Sequence, residues 1–432
     1  MKQRLLTAVV GLTVAATTAN VAHATTVSTS TDGTTCKVPT QLCASFERAA
    51  AGLVSKITQS AGGLDPALAW VVPDYDNASF VVYRVGGGVS PVYTALAGGF
   101  PVSFADSTLS ASQMQTGMET LWASRDKIRA AGIDLVGVAV TKTTVEVYVD
   151  LTSQRTTLAE PEVSRVIAGF SPLGAAGFKL MASGQQIATN RQTDRSPFHD
   201  GDDTISSSGL HVNGLPYGSE CSSGFSGLST SNGRRYNVTA EHCLKPGDPR
   251  LWVIGTGGQG TFMGTASVLD PNHDLAYVPV PDGQSTQPVA WIDGTYSSPS
   301  TKTISGSQKP FVGYRVYMSA GTSGTKGSGT IQGMGHFPVS GDYQGQTSHD
   351  TYVYFADSDT GTQIVAQGDS GGMWVHPNGT TLVATGIQSS ANFANQVACS
   401  SDTPSGVSCF SRGFFSDADT ELRVNHQLDV TR

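Results

Sequence analysis

The sequence predicts an all-β body, from about residue 205 to the end, preceded by an α+β segment. Three observations predict it. Only 14% of the 432 residues are charged and 50 are Gly, which suits a loop-rich extracellular β protein better than a helical cytosolic one. Beyond residue 205, short apolar runs with strand-like alternation are separated by turn residues. Before residue 200, strand-like runs are mixed with stretches of helical period. The length allows two or three domains and a sizeable core. A formal charge of −8, with no basic run, gives no electrostatic footprint for nucleic acid or an anionic membrane.

In chain order, Met1-Lys2-Gln3-Arg4 is a short cationic start. An apolar stretch follows to about Ala19, and Ala22-His23-Ala24 is a small-residue cleavage pattern. Residues 1–24 are therefore expected to be a secretory signal, and the apolar run is too short to read as a membrane anchor. Residues 25–35 are mostly Thr, Ser and small residues, the composition of a disordered tip. Six cysteines in an exported chain point to disulfides. The near pairs are Cys36 with Cys43, Cys221 with Cys243, and Cys399 with Cys409, though sequence alone leaves the pairing open. No C-x-x-C or clustered His/Cys spacing supports a metal site.

Ser79 to Val85 reads as a strand ended by Gly86-Gly87-Gly88. Met114, Met118, Leu121, Trp122, Ile128 and Ala131 recur at helical steps, so one helix is expected over about 109–131, with Gly132 as its C-cap. Asp134–Val140 and Val145–Asp150 flank a polar turn and predict a hairpin. Pro161 opens a second short helix. No catalytic constellation lies in this α+β segment, so residues 25–200 are read as a structural or accessory domain. Thr189 to Gly214 turns polar and reads as an exposed linker, the kind of segment proteases cut.

After it, Cys221 to Phe225 leads into a strand, Asn232-Gly233 is a turn, and Arg235 to Ala240 is the returning strand, ending in Thr239-Ala240-Glu241-His242-Cys243. Asp274 opens another alternating run, to Val280. Further on stands Gly368-Asp369-Ser370-Gly371-Gly372. Its glycines supply backbone angles that other residues rarely reach, let a carbonyl approach Ser370, and free the N–H groups of Gly368 and Ser370 to face one oxyanion. A His at a strand end, an acid and a serine in that order differ from the Ser, Asp/Glu, His order of α/β-hydrolases.

On these motifs the chain resembles the chymotrypsin-like serine proteases, closest to secreted bacterial members such as the streptogrisins and α-lytic protease. The family's T-A-x-H-C stands at residues 239–243, its G-D-S-G-G at 368–372, and its D-x-A-hydrophobic strand at 274–278. Val316 to Gly324 and Gly329-Thr330-Ile331 resemble the opening of its second barrel. The resemblance covers about half the chain, 205–432. It implies a double six-stranded antiparallel β-barrel with His242 and Asp274 on the first barrel and Ser370 on the second. It further implies a pro-region, matched to 25–200 by position and α+β character alone.

The implied reaction is peptide hydrolysis through an acyl-enzyme. Ser370 is the nucleophile, His242 the general base and acid, Asp274 the orienting acid, and Gly368 and Ser370 the oxyanion donors. No metal or organic cofactor is required. Asp274 is preferred to Asp270, which Pro271 places in a turn. The strand Thr385 to Ala391 would pair with substrate backbone, making Ser389 a substrate-binding residue. The implied partners are a polypeptide substrate and the chain's own pro-segment, with no nucleic acid or membrane, and the expected state is a secreted monomer.

Three departures from the family stand out. Ala366 replaces a cysteine that many members bridge to the pocket loop, so Cys399 is expected to pair with Cys409. Met318 stands where bacterial members carry an Arg for the acid beside the nucleophile, leaving Arg315 or a new N-terminal amine to partner Asp369. Glu241 replaces a small residue. Ile364, where trypsin-like members place Asp, argues against Lys or Arg preference. A short closing helix is expected near Leu422, capped by Ser416 or Asp417. The alternatives are an inactive homologue that binds peptides in the same cleft and, less favoured, an esterase, since the nucleophile loop also satisfies G-x-S-x-G.

Overall fold

A computed structural model describes residues 42, 45–46, 48–50, 52–53, 65–151, 156, 158–182, 186–187, 198–200, 202–206, 210–212, 215–217, 220–244, 247–254, 260–292, 300–339, 349–401, 403 and 406–431. The signal expected over 1–24 and the tip at 25–35 lie outside the described residues. So do Cys36 and Cys43, and with them the disulfide expected between the two.

In the N-terminal segment, strand Leu68–Asp74 pairs antiparallel with Ser79–Val85, which pairs parallel with Val102–Ser107. Ser79–Val85 spans the Val/Phe/Tyr run, and Gly86 and Gly87 end it at φ +77 and +60. The single helix expected over 109–131 is two helices, Ala111–Ala123 and Arg125–Ala130, broken at Ser124. Met114, Met118, Leu121, Trp122 and Ile128 are buried on both sides of the break. The apolar stripe therefore runs through the break, and periodicity alone does not reveal it. Ala131 is exposed instead of joining the stripe. Ser110 and Gln113 form a reciprocal capping box at the first helix. Gly132, at φ +85, ends the second.

The hairpin Leu135–Thr141/Val145–Val149 forms as expected, and Phe178–Ala182 adds to it in parallel. Helix Glu160–Phe170 carries Pro in its first turn and buries Val163 and Ile167. Together these elements enclose one core, which includes Leu121, Val138 and Val147.

The C-terminal body has two lobes. The first holds two antiparallel sheets. One is ordered Glu220–Ser222, Asp203–Ser206, Arg250–Ile254, Gly260–Thr265. The other is ordered Val268–Asp270, Leu275–Pro279, Arg235–Thr239, Ser226–Ser229, Leu428–Asp429. In the second lobe, Arg315–Ala320 pairs with Gly324–Val339, then His349–Ser358, Arg412–Asp417, Thr381–Asn392 and Met373–Asn378, which pairs back to Arg315–Ala320. Six antiparallel strands thus close a barrel, which leaves no free edge. Met318, Ile331, Trp374 and Phe415 fill it. A closed barrel beside a half-barrel is the chymotrypsin-like double-barrel plan.

Part of the stretch read as exposed linker is built into this body. Phe198–Asp200 and Asp203–Ser206 are strands, and Asp200 and Asp202 are buried. Their polarity misleads because each carboxylate finds a donor inside. Ser226 N–H donates to Asp200 Oδ1 at 2.7 Å, and Trp291 Nε1–H to Asp202 Oδ1 at 2.9 Å.

The two halves of the chain share a sheet. Val138–Thr141 pairs with Gly333–His336 of the barrel. A side chain at Gly335 would place its Cβ 2.1 Å from the Val138 carbonyl oxygen, so only glycine admits this approach. Trp122 stacks on His336 at 5.4 Å beside the junction. Further along, Gln186–Ile187 pairs antiparallel with Ala391–Asn392, at the end of the strand that carries Ser389.

Candidate active site

Three short segments from both lobes meet at one point. Strand Arg235–Thr239 lies against Leu275–Pro279 with Thr239 opposite Ala276. It delivers His242 on a single 3-10 turn, Glu241–Cys243. The disulfide between Cys221 and Cys243, with Cα atoms 6.0 Å apart, ties that turn to strand Glu220–Ser222 of the lobe's other sheet. Glu241 is half-buried.

Asp274 does not open the strand, as the alternation predicts. It sits one residue ahead of Leu275 at φ +53. Asp tolerates this left-handed conformation better than most residues. Second-lobe donors hold the loop there. Thr351 Oγ donates to the Pro271 carbonyl at 3.4 Å, Tyr352 N–H to the Asn272 carbonyl at 3.3 Å, and Ser416 Oγ to the His273 carbonyl. Asp270, the rival acid, is turned to His273, 2.9 Å from its Nδ1.

The Asp274 carboxylate receives the His242 backbone N–H at 3.0 Å and lies 2.9 and 2.8 Å from His242 Nδ1. Ser389 Oγ donates to its Oδ2 at 2.5 Å. His242 Nε2 is 2.8 Å from Ser370 Oγ. With Nδ1–H given to a carboxylate, Nε2 is left as the acceptor for the serine proton. His242, Asp274 and Ser370 are 7, 3 and 1% exposed, so all three side chains lie away from bulk water.

The loop Gly368–Gly372 is dictated by its glycines. Gly368 and Gly371 adopt φ +105 and +83. A Cβ at Gly371 would lie 2.2 Å from both Ser222 O and Thr239 Oγ1, and one at Gly372 would lie 2.2 Å from Ala320 Cβ. Neither the Gly368 nor the Ser370 N–H has an acceptor among the described residues. Asp369 shapes the loop through backbone donors. Thr322 and Ser323 N–H reach Oδ1 at 3.1 and 2.8 Å, and Ala366 N–H reaches Oδ2 at 2.7 Å. Arg315, weighed as its cation, pairs with Asp359 at 3.3 Å and lies over the Tyr75 ring. Met318 is buried beside Ser323.

Cys399 and Cys409 are bridged, and Cys409 lies directly opposite Ala366 in a two-residue strand pair. The segment before Ser370 is therefore braced without a cysteine of its own. Ile364 is packed in the barrel core. The closing helical segment Asp419–Asn425 has Ala418, and neither Ser416 nor Asp417, at its N-cap position, while Asp417 just before it takes the Thr420 N–H at 3.0 Å.

Two roles escape the sequence reading. Ser389, expected only on the substrate strand, also turns its hydroxyl to Asp274, and its carbonyl oxygen lies 3.1 Å from Ser370 Oγ, a second acceptor competing with His242 Nε2 for the one serine proton. Ser222 joins the lobes. Its Oγ accepts the Gly321 N–H at 2.8 Å and donates to Gly368 O at 3.1 Å, while its N–H donates to Ser370 O at 2.6 Å. The only sequence signal for Ser222 is adjacency to Cys221.

Among solved structures, the chain is similar to a glutamic acid-specific serine protease described as using a histidine triad in substrate binding, at 23% identity and TM-score 0.37, over 54% of this chain and 99% of that one. It is similar to Nocardiopsis protease at 21% identity and TM-score 0.36, over 54% and 97%, and to Thermobifida fusca protease A at 21% and 0.35, over 54% and 96%. These neighbours are serine proteases, and the likeness lies within about half of this chain. No family model and no curated protein matches the chain.

Proposed function

We propose that this chain is a secreted serine endopeptidase made as a zymogen, with a signal over 1–24, a pro-segment over 25–200 and a catalytic domain over 205–432. The observation that carries the reading is the continuous hydrogen-bonded series Ser370–His242–Asp274, buried between two lobes. Ser370 Oγ attacks the peptide carbonyl while His242 Nε2 takes its proton. The imidazolium returns that proton to the leaving amine, and water then repeats the sequence on the acyl-enzyme. Asp274 fixes the imidazole tautomer and stabilises its cation. The Gly368 and Ser370 N–H groups receive the oxyanion.

The strand pairing favours the zymogen reading. A peptide substrate in such a site would extend along Ser389–Ala391. Gln186–Ile187 already pairs with Ala391–Asn392, so the pro-segment lies where part of a substrate would lie. The two disulfides fit an oxidising compartment. No helix among the described residues is long and apolar enough to cross a membrane.

The test is secretion of the wild-type chain beside Ser370→Ala, with size followed by intact mass and the active site by a serine-directed phosphonate. Loss of the N-terminal segment and labelling in wild type alone is expected of a self-maturing protease. Processing of both forms with labelling of wild type alone keeps the enzyme and assigns activation to another protease. Folded, processed wild type that takes no label sinks the catalytic reading. His242→Ala should cut kcat by roughly 10⁶-fold.

A further inference from the structure

We propose that Asp270, His273, Glu421 and His426 form a structural site for one divalent transition-metal ion of the zinc class. The ion would clamp the loop carrying Asp274 to the closing turn of the chain. The site touches no substrate and is separate from the serine chemistry.

The donor atoms converge from two elements. His273 Nδ1 lies 2.9 Å from Asp270 Oδ2 and 3.4 Å from Glu421 Oε2, and the three donors all lie within 4.8 Å of one another. His426 Nε2 is 3.9 Å from the same Asp270 oxygen. Metal–ligand bonds of about 2.0–2.2 Å set neighbouring ligands of a tetrahedral ion roughly 3.4 Å apart. Two imidazoles and two carboxylates form a borderline donor set that suits zinc and its neighbours.

An ordinary ion pair leaves this cluster incompletely satisfied. One imidazole nitrogen carries one proton, yet two carboxylates converge on His273 Nδ1. A dication in place of that proton would serve both carboxylates and the ring nitrogen at once. Tyr277 is the second sign. Its side chain is buried, with the residue 3% exposed, and its hydroxyl has no hydrogen-bond partner among the described residues. Its ring packs on His426 at 4.1 Å.

The surroundings resemble an outer coordination shell. Asn425 Nδ2 donates to Glu421 Oε2 at 2.7 Å, and Ser416 Oγ donates to the His273 carbonyl, contacts that orient metal ligands. A cavity of about 450 Å³ at the seam with the N-terminal segment is lined by His273, Glu421, Trp70 and Tyr352. It offers a path for the ion and room for a water ligand. The other dense donor group, Cys221, His242 and Cys243, is ruled out because its two sulfurs are joined to each other.

The test uses the full chain carrying Ser370→Ala, which prevents self-cleavage, stripped with chelator and titrated with zinc and with cobalt. One ion per chain is expected, with cobalt giving the visible bands of a four-coordinate N/O site. Asp270→Asn and His426→Gln should each weaken zinc binding at least about 10-fold. Zinc should raise the melting temperature of the parent more than that of either variant. His426 is partly exposed, so its variant is a foldable check, verified by near-UV circular dichroism. No uptake by the folded chain, or uptake of equal affinity in both variants, overturns the proposal.

Discussion

At the scale of single residues, Ser389 and His376 make opposite uses of burial. Asp274 is a buried carboxylate whose neighbours include the Ser389 hydroxyl at 2.5 Å. A hydrogen bond to a buried charge contributes about 1.5–3 kcal/mol. Ser389→Ala should therefore lower kcat by roughly 10- to 100-fold with little change in KM, because the backbone that would meet substrate is kept. Steady-state kinetics on a peptide anilide checks it, and an equal rise in KM with unchanged kcat would place Ser389 in substrate binding alone. His376 is enclosed, stacked on Tyr314 at 4.1 Å, with Nδ1–H given to the Arg315 carbonyl. Burial lowers its pKa from 6.5 to about 4. Between those values the unfolded chain binds the proton and the folded chain does not. Its contribution is thus complete above pH 6.5 and is lost as pH falls toward 4, by at most about 3 kcal/mol. Urea unfolding at pH 7 and pH 4.5 should show this loss in the Ser370→Ala chain and a smaller one when His376→Gln is added.

At the scale of elements, the glycines decide which segments approach. Gly333 and Gly335 let the hairpin Leu135–Thr141/Val145–Val149 join the barrel, since a Cβ at either would meet a backbone oxygen at 2.2 or 2.1 Å. Gly335→Val should push the hairpin away. If the N-terminal segment assists folding of the barrel, secretion should fall well below that of a Gly327→Ala control, where a Cβ meets nothing. Equal yields would remove the hairpin from any assisting role. The same elements mark what the sequence makes legible. The two turns bearing His242 and Ser370 are readable because their chemistry is local: adjacent glycines, a neighbouring cysteine, a strand end. The hairpin Leu135–Thr141/Val145–Val149 and strand Ser79–Val85 are readable from alternation. Asp274 is harder, because its left-handed backbone is held by donors from Thr351, Tyr352 and Ser416 that no local pattern announces. Asp200 and Asp202 look like solvent-facing linker because their buried partners, Ser226 and Trp291, lie far along the chain. The break at Ser124 is invisible because burial continues across it.

At the scale of the whole molecule, the N-terminal segment meets the C-terminal body at two separate sheet edges. One is the broad junction of Val138–Thr141 with Gly333–His336. The other is the short pairing of Gln186–Ile187 with Ala391–Asn392. They differ in kind. The first is backed by packed apolar residues, including Val138 and Val140, and by the Trp122–His336 stack. The second is a two-residue strand pair at the end of the strand carrying Ser389. Local stability follows the apolar contacts behind a hydrogen-bonded pair. The short pairing should therefore open far more often than the broad one while the chain is intact. Hydrogen exchange on the uncut Ser370→Ala chain should show slow amides at 333–336 and intermediate ones at 391–392. Removing the N-terminal segment with an added protease should accelerate both, with substrate-strand exchange changing even where the barrel remains folded. Unchanged exchange at 391–392 after removal would mean that the segment does not cover the cleft in solution. The proposed zymogen would then have to be held inactive by something other than occupation of the strand Thr381–Asn392.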